Sequence, residues 1–178
     1  MARYAAFLRA VNVGARWVKS EDLRACFDEL GFTDVATFRT SGNVVFSTGG
    51  EAATKIASRV EKRLAKATGF DVPVYLRTAP KMKAIAAYEP FPARMVASSK
   101  GKLQVSLLVK RPSAAAAKKV LALATDEDRL AIRDQELYWL PSGGLMDSDL
   151  DLRAIENLLG PTTKRTKGTL DQLAAKYF

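Results

Sequence analysis

Residues 4–78 carry six segments whose apolar periodicity switches between two and 3.6 in the order strand, helix, strand, strand, helix, strand. The first, Arg3 to Val11, is apolar on both faces, with Tyr4, Ala6, Leu8 and Ala10 on one and Ala5, Phe7 and Val11 on the other. Such a strand belongs at the centre of a sheet. Helices cover only one face of a two-layer domain, so something else must cover the second. Arg9 alone breaks that second face and is the first candidate for a placed polar group. A helix follows, with Ser20 as N-cap, Glu21 and Asp22 in its first turn, a stripe of Leu23, Cys26, Phe27 and Leu30, and Gly31 as its stop. Two strands, Val35 to Arg39 and Val44 to Ser47, are joined through Ser41, Gly42 and Asn43, residues suited to the positive φ of tight turns. The second helix, Glu51 to Thr68, carries Ile56, Val60 and Leu64 on one face and stops at Gly69. Val72 to Arg77 is the last strand, and Pro73 suits it to an edge. The order is that of a ferredoxin-like split βαβ domain, a superfold that serves enzymes, RNA-binding sheets, metal carriers and regulatory modules alike, so it leaves the activity open.

The rest of the chain repeats this plan in part. Lys102 to Lys110 alternates into a strand, Pro112 to Ala124 into a helix with proline at its start, and Asp128 to Arg133 with Glu136 to Leu140 into a hairpin. A helix from Leu150 to Leu159 is stopped by Gly160 and Pro161. The sixth strand is missing from the pattern, and a basic turn and a helix from Thr169 to Tyr177 stand in its place. The expected fold class is therefore α+β, with two ferredoxin-like-related subdomains: the first βαββαβ, the second an incomplete βαββα with an extra C-terminal helix. Residues 1–78 and 102–178 are the expected subdomains, joined by a connector over 79–101. The connector holds a short helix around Lys81 to Tyr88 and then Pro90-Phe91-Pro92, a stiff crossing, with Ser98 to Gly101 as its expected mobile spot.

Composition removes several chemistries. The longest apolar stretches, such as Val105 to Val109, are far too short to span a bilayer, and the start at Met1 lacks a secretory signal, so a soluble cytoplasmic protein is expected. Cys26 is the single cysteine, which excludes an intramolecular disulfide and a cysteine zinc site; its place in an apolar helical stripe makes it a small core residue. The absence of histidine removes Ser-His and Cys-His nucleophile pairs and the commonest nitrogen metal ligand. No metal or cofactor is expected. Net charge is +9, and both halves are basic: 12 Lys and Arg against 8 Asp and Glu up to Arg77, then 16 against 11. A balance of this kind favours solubility, and an anionic ligand or polyanionic partner.

Three segments combine turn geometry with polar groups. Asn12-Val13-Gly14-Ala15-Arg16 leads through Lys19 to the start of the first helix, where loose amides beside cations suit a phosphate or carboxylate, although one glycine falls well short of a phosphate-binding fingerprint. Arg39-Thr40-Ser41-Gly42-Asn43 is a hairpin turn by its simplest reading. Lys164, Arg165 and Lys167 form a cationic run before the last helix, a solvated surface or an anion clamp. Asp147, Asp149 and Asp151 alternate, but the glycine and glutamate that a calcium loop requires are out of place, and capping of the helix explains them better. Asp126, Glu127 and Asp128 are expected in a solvated turn. The RNA-recognition reading of the first half lacks the aromatic, basic signature on its central strands.

Taken together and in order, Phe7-Leu8-Arg9-Ala10-Val11-Asn12-Val13-Gly14, Asp22-Leu23, Leu30-Gly31-Phe32 and Ser41-Gly42-Asn43-Val44-Val45-Phe46 resemble the N-terminal signature of the bacterial domain-of-unknown-function family 1697. The resemblance implies an α+β fold of two related subdomains and no assigned reaction, substrate or cofactor. It also directs attention to Arg9, Asn12, Gly14, Ser41, Gly42 and Asn43 as a common site. The chain departs from the family pattern at Ser148-Asp149-Leu150, where Ser-Lys-Leu is usual, and at Lys164-Arg165-Thr166-Lys167, where Thr-Arg-Asn-Trp is usual. The leading expectation is a protein that binds a small anionic ligand or nucleic acid near the junction of its halves, through Arg9, Asn12, Gly14, Arg16, Arg39, Ser41 and Asn43. The alternatives are a metal-independent enzyme, with arginine stabilising charge and a carboxylate or tyrosine moving a proton, and a structural or protein-interaction module.

Overall fold

The strand that opens the chain, β1 (Ala2–Leu8), is closed off from solvent on both faces along most of its length. It pairs antiparallel with β3 (Asn43–Thr48) on one side and β4 (Val74–Thr78) on the other, and β2 (Thr33–Thr37) extends the sheet beyond β3, for an order β2-β3-β1-β4. This is a computed structural model that describes residues 1–145 and 148–178, and the chain divides into a unit of Met1–Ala84 with Leu173–Phe178 and a unit of Ile85–Gln172.

In the first unit Tyr4, Ala6 and Leu8 face α1 (Ser20–Asp28) and α2 (Ala53–Thr68) and share a core with Leu23, Cys26, Phe27, Ile56, Val60 and Leu64. Phe46 of β3 lies among Tyr4, Phe27 and Phe32, with ring centroids 5.7, 5.2 and 4.7 Å away. On the other face Ala5 and Phe7 are fully buried. Part of that face meets the end of the chain: Arg3 Nε donates to the Tyr177 carbonyl at 3.0 Å, and the Tyr177 ring stands edge-on to Phe38.

Local chemistry moves several element ends from where the sequence places them. β1 stops at Leu8 rather than Val11 because Ala10 turns into the left-handed region at φ 56°. Ser20 is the first helical residue of α1 and not its cap; Lys19 occupies the cap position with no side-chain hydrogen bond. Glu51 stays outside α2 and pairs with Arg59 at 2.8 Å, while Gly69 ends the helix at φ 77° with its N–H on the Ala65 carbonyl. The thiol of Cys26 sits under α1, where burial pushes its pKa up. We expect Ellman's reagent at pH 8 to modify native Cys26 roughly 100-fold more slowly than the urea-unfolded chain, since only an accessible thiolate attacks. Equal rates in the two states would contradict this packing.

The connecting segment forms two short helices, α3 (Ala79–Ala87) and α4 (Ala93–Ser98). The second is absent from the sequence reading; Pro92 occupies its N-cap position, so the proline that was expected to mark a stiff crossing instead launches a helical turn. The expected mobile spot, Ser98 to Gly101, is stitched down. Ser99 Oγ donates to the Pro141 carbonyl, Lys100 N–H donates to Ser142 O at 3.0 Å, and the Gly101 N–H donates back to Ser99 Oγ at 3.1 Å.

The second unit is a complete copy of the plan: β5 (Gln104–Leu107), α5 (Ala114–Leu121), β6 (Asp128–Arg133), β7 (Glu136–Pro141), α6 (Leu152–Leu159) and β8 (Thr163–Thr166), followed by α7 (Lys167–Tyr177). Its sheet order, β6-β7-β5-β8, matches that of the first unit. The missing sixth strand is thus present. Thr163 to Thr166, expected as a basic turn, pair antiparallel with β5, and polar residues suit an edge strand that must not recruit another chain. Equivalence extends to single residues. Arg77 lies opposite Ala5 and Arg165 opposite Val105, both are buried, and each Nη1 donates to the carbonyl of the preceding residue, at 2.9 and 2.8 Å.

The core of this unit joins Val120, Leu137, Trp139, Leu150 and Ile155. Asp128, expected to be solvated, is buried: its carboxylate accepts from Trp139 Nε1 at 2.6 Å and from Ser148 Oγ at 2.9 Å. Ser113 caps α5 and Asp151 caps α6 through side-chain oxygens; Asp147 lies outside the described residues. Among the described residues, no helix is long and apolar enough to cross a membrane.

Candidate functional site

Where β1 ends, the chain makes three left-handed turns within five residues, at Ala10, Asn12 and Gly14, with φ between 56° and 59°. Such backbone is uncommon outside glycine, although asparagine tolerates it. A small hairpin results: Asn12 N–H donates to Arg16 O at 2.7 Å, and Arg16 N–H donates to Val13 O at 3.2 Å. The Asn12 side chain then works in two directions. Its Oδ1 accepts from Val18 N–H at 2.8 Å, closing its own loop, and its Nδ2 donates to Thr40 O at 2.5 Å, reaching into the β2–β3 turn.

That turn is held from the other side as well. Leu8 N–H donates to Gly42 O at 2.8 Å, and Asn43 Nδ2 donates to Phe38 O and Ser41 Oγ, both at 2.9 Å. Gly42 has φ 70°, and a β-carbon there would lie 3.0 Å from Leu8 Cβ and 3.2 Å from Val11 Cβ. A close approach between the two loops therefore requires glycine at this point. Arg39 also adopts a left-handed φ, 58°. Beside these loops, Arg9 N–H donates to the carbonyl of Pro73, just ahead of β4.

The fold thus sets the loop carrying Arg9, Asn12, Gly14 and Arg16 against the turn carrying Arg39, Ser41 and Asn43. Roles within this corner differ. Asn12 and Asn43 use their amides to hold backbone, and Asn43 is buried. Gly14, Arg16, Lys19, Arg39 and Ser41 are exposed, and Arg9 is half-buried. The Arg16 guanidinium lies over the Phe70 ring at 5.0 Å and that of Arg39 over Phe38 at 5.6 Å. Trp17 and Val13 complete the corner, 72% and 66% exposed. The sequence reading did not single out either; the available signal was a tryptophan set between Arg16 and Lys19 in a loop with no apolar periodicity.

The three C-terminal cations belong to the second unit and differ from one another. Lys167 is buried and donates to Ala86 O at 2.9 Å and Asp171 Oδ1 at 2.8 Å. Arg165 is buried, and desolvation draws its guanidinium down to about 10. Lys164 rests on the Trp139 ring, 4.6 Å from its centroid, and burial lowers its ammonium pKa. Two cavities are lined by none of the candidate residues themselves. One, of about 260 Å³, is lined by Glu61, Lys62, Ala65, Asp71, Val72 and Pro73. The other, of about 210 Å³, is lined by Thr125, Glu127, Asp128, Ser142, Gly143, Gly144, Ser148 and Asp149.

Two similar four-stranded α+β units, the first with a loop corner rich in cations, define the class of protein. Residues 1–138 match the family described as "Protein of unknown function (DUF1697)", and the chain belongs to that family. Its structure is similar to that of the conserved bacterial protein SP0830 from Streptococcus pneumoniae, with a TM-score of 0.74 and 19% sequence identity, over 98% of this chain and 97% of that one. At that identity the likeness is one of fold. No curated protein matches the chain.

Proposed function

We propose that the chain binds a phosphate-bearing anionic partner at the corner formed by residues 9–19 and the β2–β3 turn. The supporting observation is the Asn12 bridge: one side chain fixes both loops, so that the exposed cations Arg16, Lys19 and Arg39 sit on backbone already held in place. A pre-ordered site loses less conformational freedom on binding than a floppy one. A net charge of +9 adds long-range attraction that ordinary salt screens.

Fluorescently labelled inorganic polyphosphate tests this by anisotropy. Three phosphate contacts imply that affinity falls roughly 20- to 40-fold between 50 and 200 mM salt, following counterion release. Substitution of Arg16, Lys19 and Arg39 together by glutamate is expected to abolish binding while leaving the thermal midpoint within a few degrees, because all three are exposed. Binding that persists in this variant would place the anion site elsewhere and overturn the proposal.

A further inference from the structure

Resting on the proposed basic corner, we infer that its partner is single-stranded nucleic acid, with Trp17 stacking on an unpaired base while Arg16 and Lys19 hold flanking phosphates. The two tryptophans of the chain make opposite use of their rings. Trp139 is in a core, and its indole N–H donates to Asp128; Trp17 is 72% exposed in a cationic loop, directly after the Val13–Arg16 bridge. A large exposed ring set in sequence between Arg16 and Lys19, in a loop that also exposes Val13, offers a flat apolar surface alongside positive charge. Base-stacking aromatics interleaved with cations are the physical requirement for gripping a single strand without sequence preference. A duplex keeps its bases stacked on one another, and base-free polyanions offer the ring nothing.

The sheet itself supplies no rival surface on its two central strands. Ala5, Phe7 and Val45, on the face that an RNA-recognition sheet would present to bases, are all fully buried. Stacking therefore falls to the loop. Asn12 gives that loop a fixed shape through its bonds to Val18 and Thr40, so the ring is presented rather than searched for.

The test compares an oligo(dT) 10-mer, the same 10-mer with abasic sites throughout, a 10-base-pair duplex and polyphosphate, by intrinsic tryptophan fluorescence and by anisotropy at 50 mM salt. Oligo(dT) is expected to quench the emission and to protect it from iodide, whereas abasic strand and polyphosphate bind without quenching. Trp17→Ala is expected to weaken oligo(dT) binding roughly 5- to 150-fold, the range for loss of one stacked base, with Trp17→Phe intermediate and polyphosphate binding unchanged. If polyphosphate binds but oligo(dT) neither quenches nor responds to Trp17→Ala, stacking is wrong and the anionic corner survives. If the duplex binds as tightly as oligo(dT) and shows the same dependence on Trp17, the single-strand assignment is wrong. If no probe binds at all, the corner reading has failed with it.

Discussion

Replacing Gly101 with alanine is expected to lower stability by about 3 kcal/mol, near the upper end of what overpacking costs. A β-carbon at this position would lie 2.4 Å from the Gly143 carbonyl oxygen and 2.5 Å from Pro141 Cγ, distances that backbone and a proline ring cannot relieve by rotating a side chain. Making room means pulling the segment 99–101 away from the end of β7, which also strains the Lys100–Ser142 hydrogen bond and the contact of Ser99 Oγ with Pro141 O. Gly143→Ala is the matched control, since nothing lies within 4 Å of its would-be β-carbon, and a change under about 0.5 kcal/mol is expected there. Urea midpoints of the two variants decide the matter; equal midpoints would mean that the segment is not seated as described.

Removal of Leu173–Phe178 is the second large effect. Leu173 is fully buried and Ala174 nearly so, and loss of a buried leucine alone costs about 2–5 kcal/mol. The deletion also takes away the Tyr177 carbonyl that accepts from Arg3 and the ring set against Phe38. We expect the truncated chain to be at least about 3 kcal/mol less stable. Amide hydrogens of the first unit should exchange faster in it, although the deleted residues lie at the far end of the sequence. Tyr177→Ala, which leaves the backbone in place, should cost only about 1 kcal/mol, the value of one aromatic contact. Truncation without effect on exchange in β1 would show that these residues do not belong to that unit's core.

Much of the architecture was legible because local chemistry and burial agree. The two-sided apolar pattern of residues 4–8 placed β1 at the centre of its sheet, and Ile56, Val60 and Leu64 marked the buried face of α2. The eighth strand was not legible. Its two buried residues are Thr163 and Arg165, and a strand that buries a threonine and an arginine carries no apolar alternation to detect. Only the register, with Arg165 opposite Val105 as Arg77 is opposite Ala5, reveals that the second half completes the plan of the first. Asp128 was hidden for a related reason: nothing local marks a carboxylate whose partners are an indole eleven residues on and a hydroxyl twenty residues on.

The corner shows the same division. Asn12, Gly14, Gly42 and Asn43 announce turns by residue type, and the left-handed backbone at Asn12, Gly14 and Gly42 accords with that. That Asn12 would reach Thr40, 28 positions away, is a property of the folded sheet, which brings the end of β1 beside the β2–β3 turn. Burial of the outer sheet face beside β1 was inferable from Ala5 and Phe7; that chain-terminal residues contribute to the cover was not.

Arg3 and Tyr177 are 174 positions apart. At the usual pace of about 5–20 residues per second, a ribosome takes roughly ten to thirty-five seconds to travel between them. Throughout that interval the nascent N-terminal sheet lacks the segment that bonds Arg3, so this part of its cover arrives only after the whole intervening second unit has been synthesised, and translation halted before Leu173 would leave the first unit bare there and open to proteolysis.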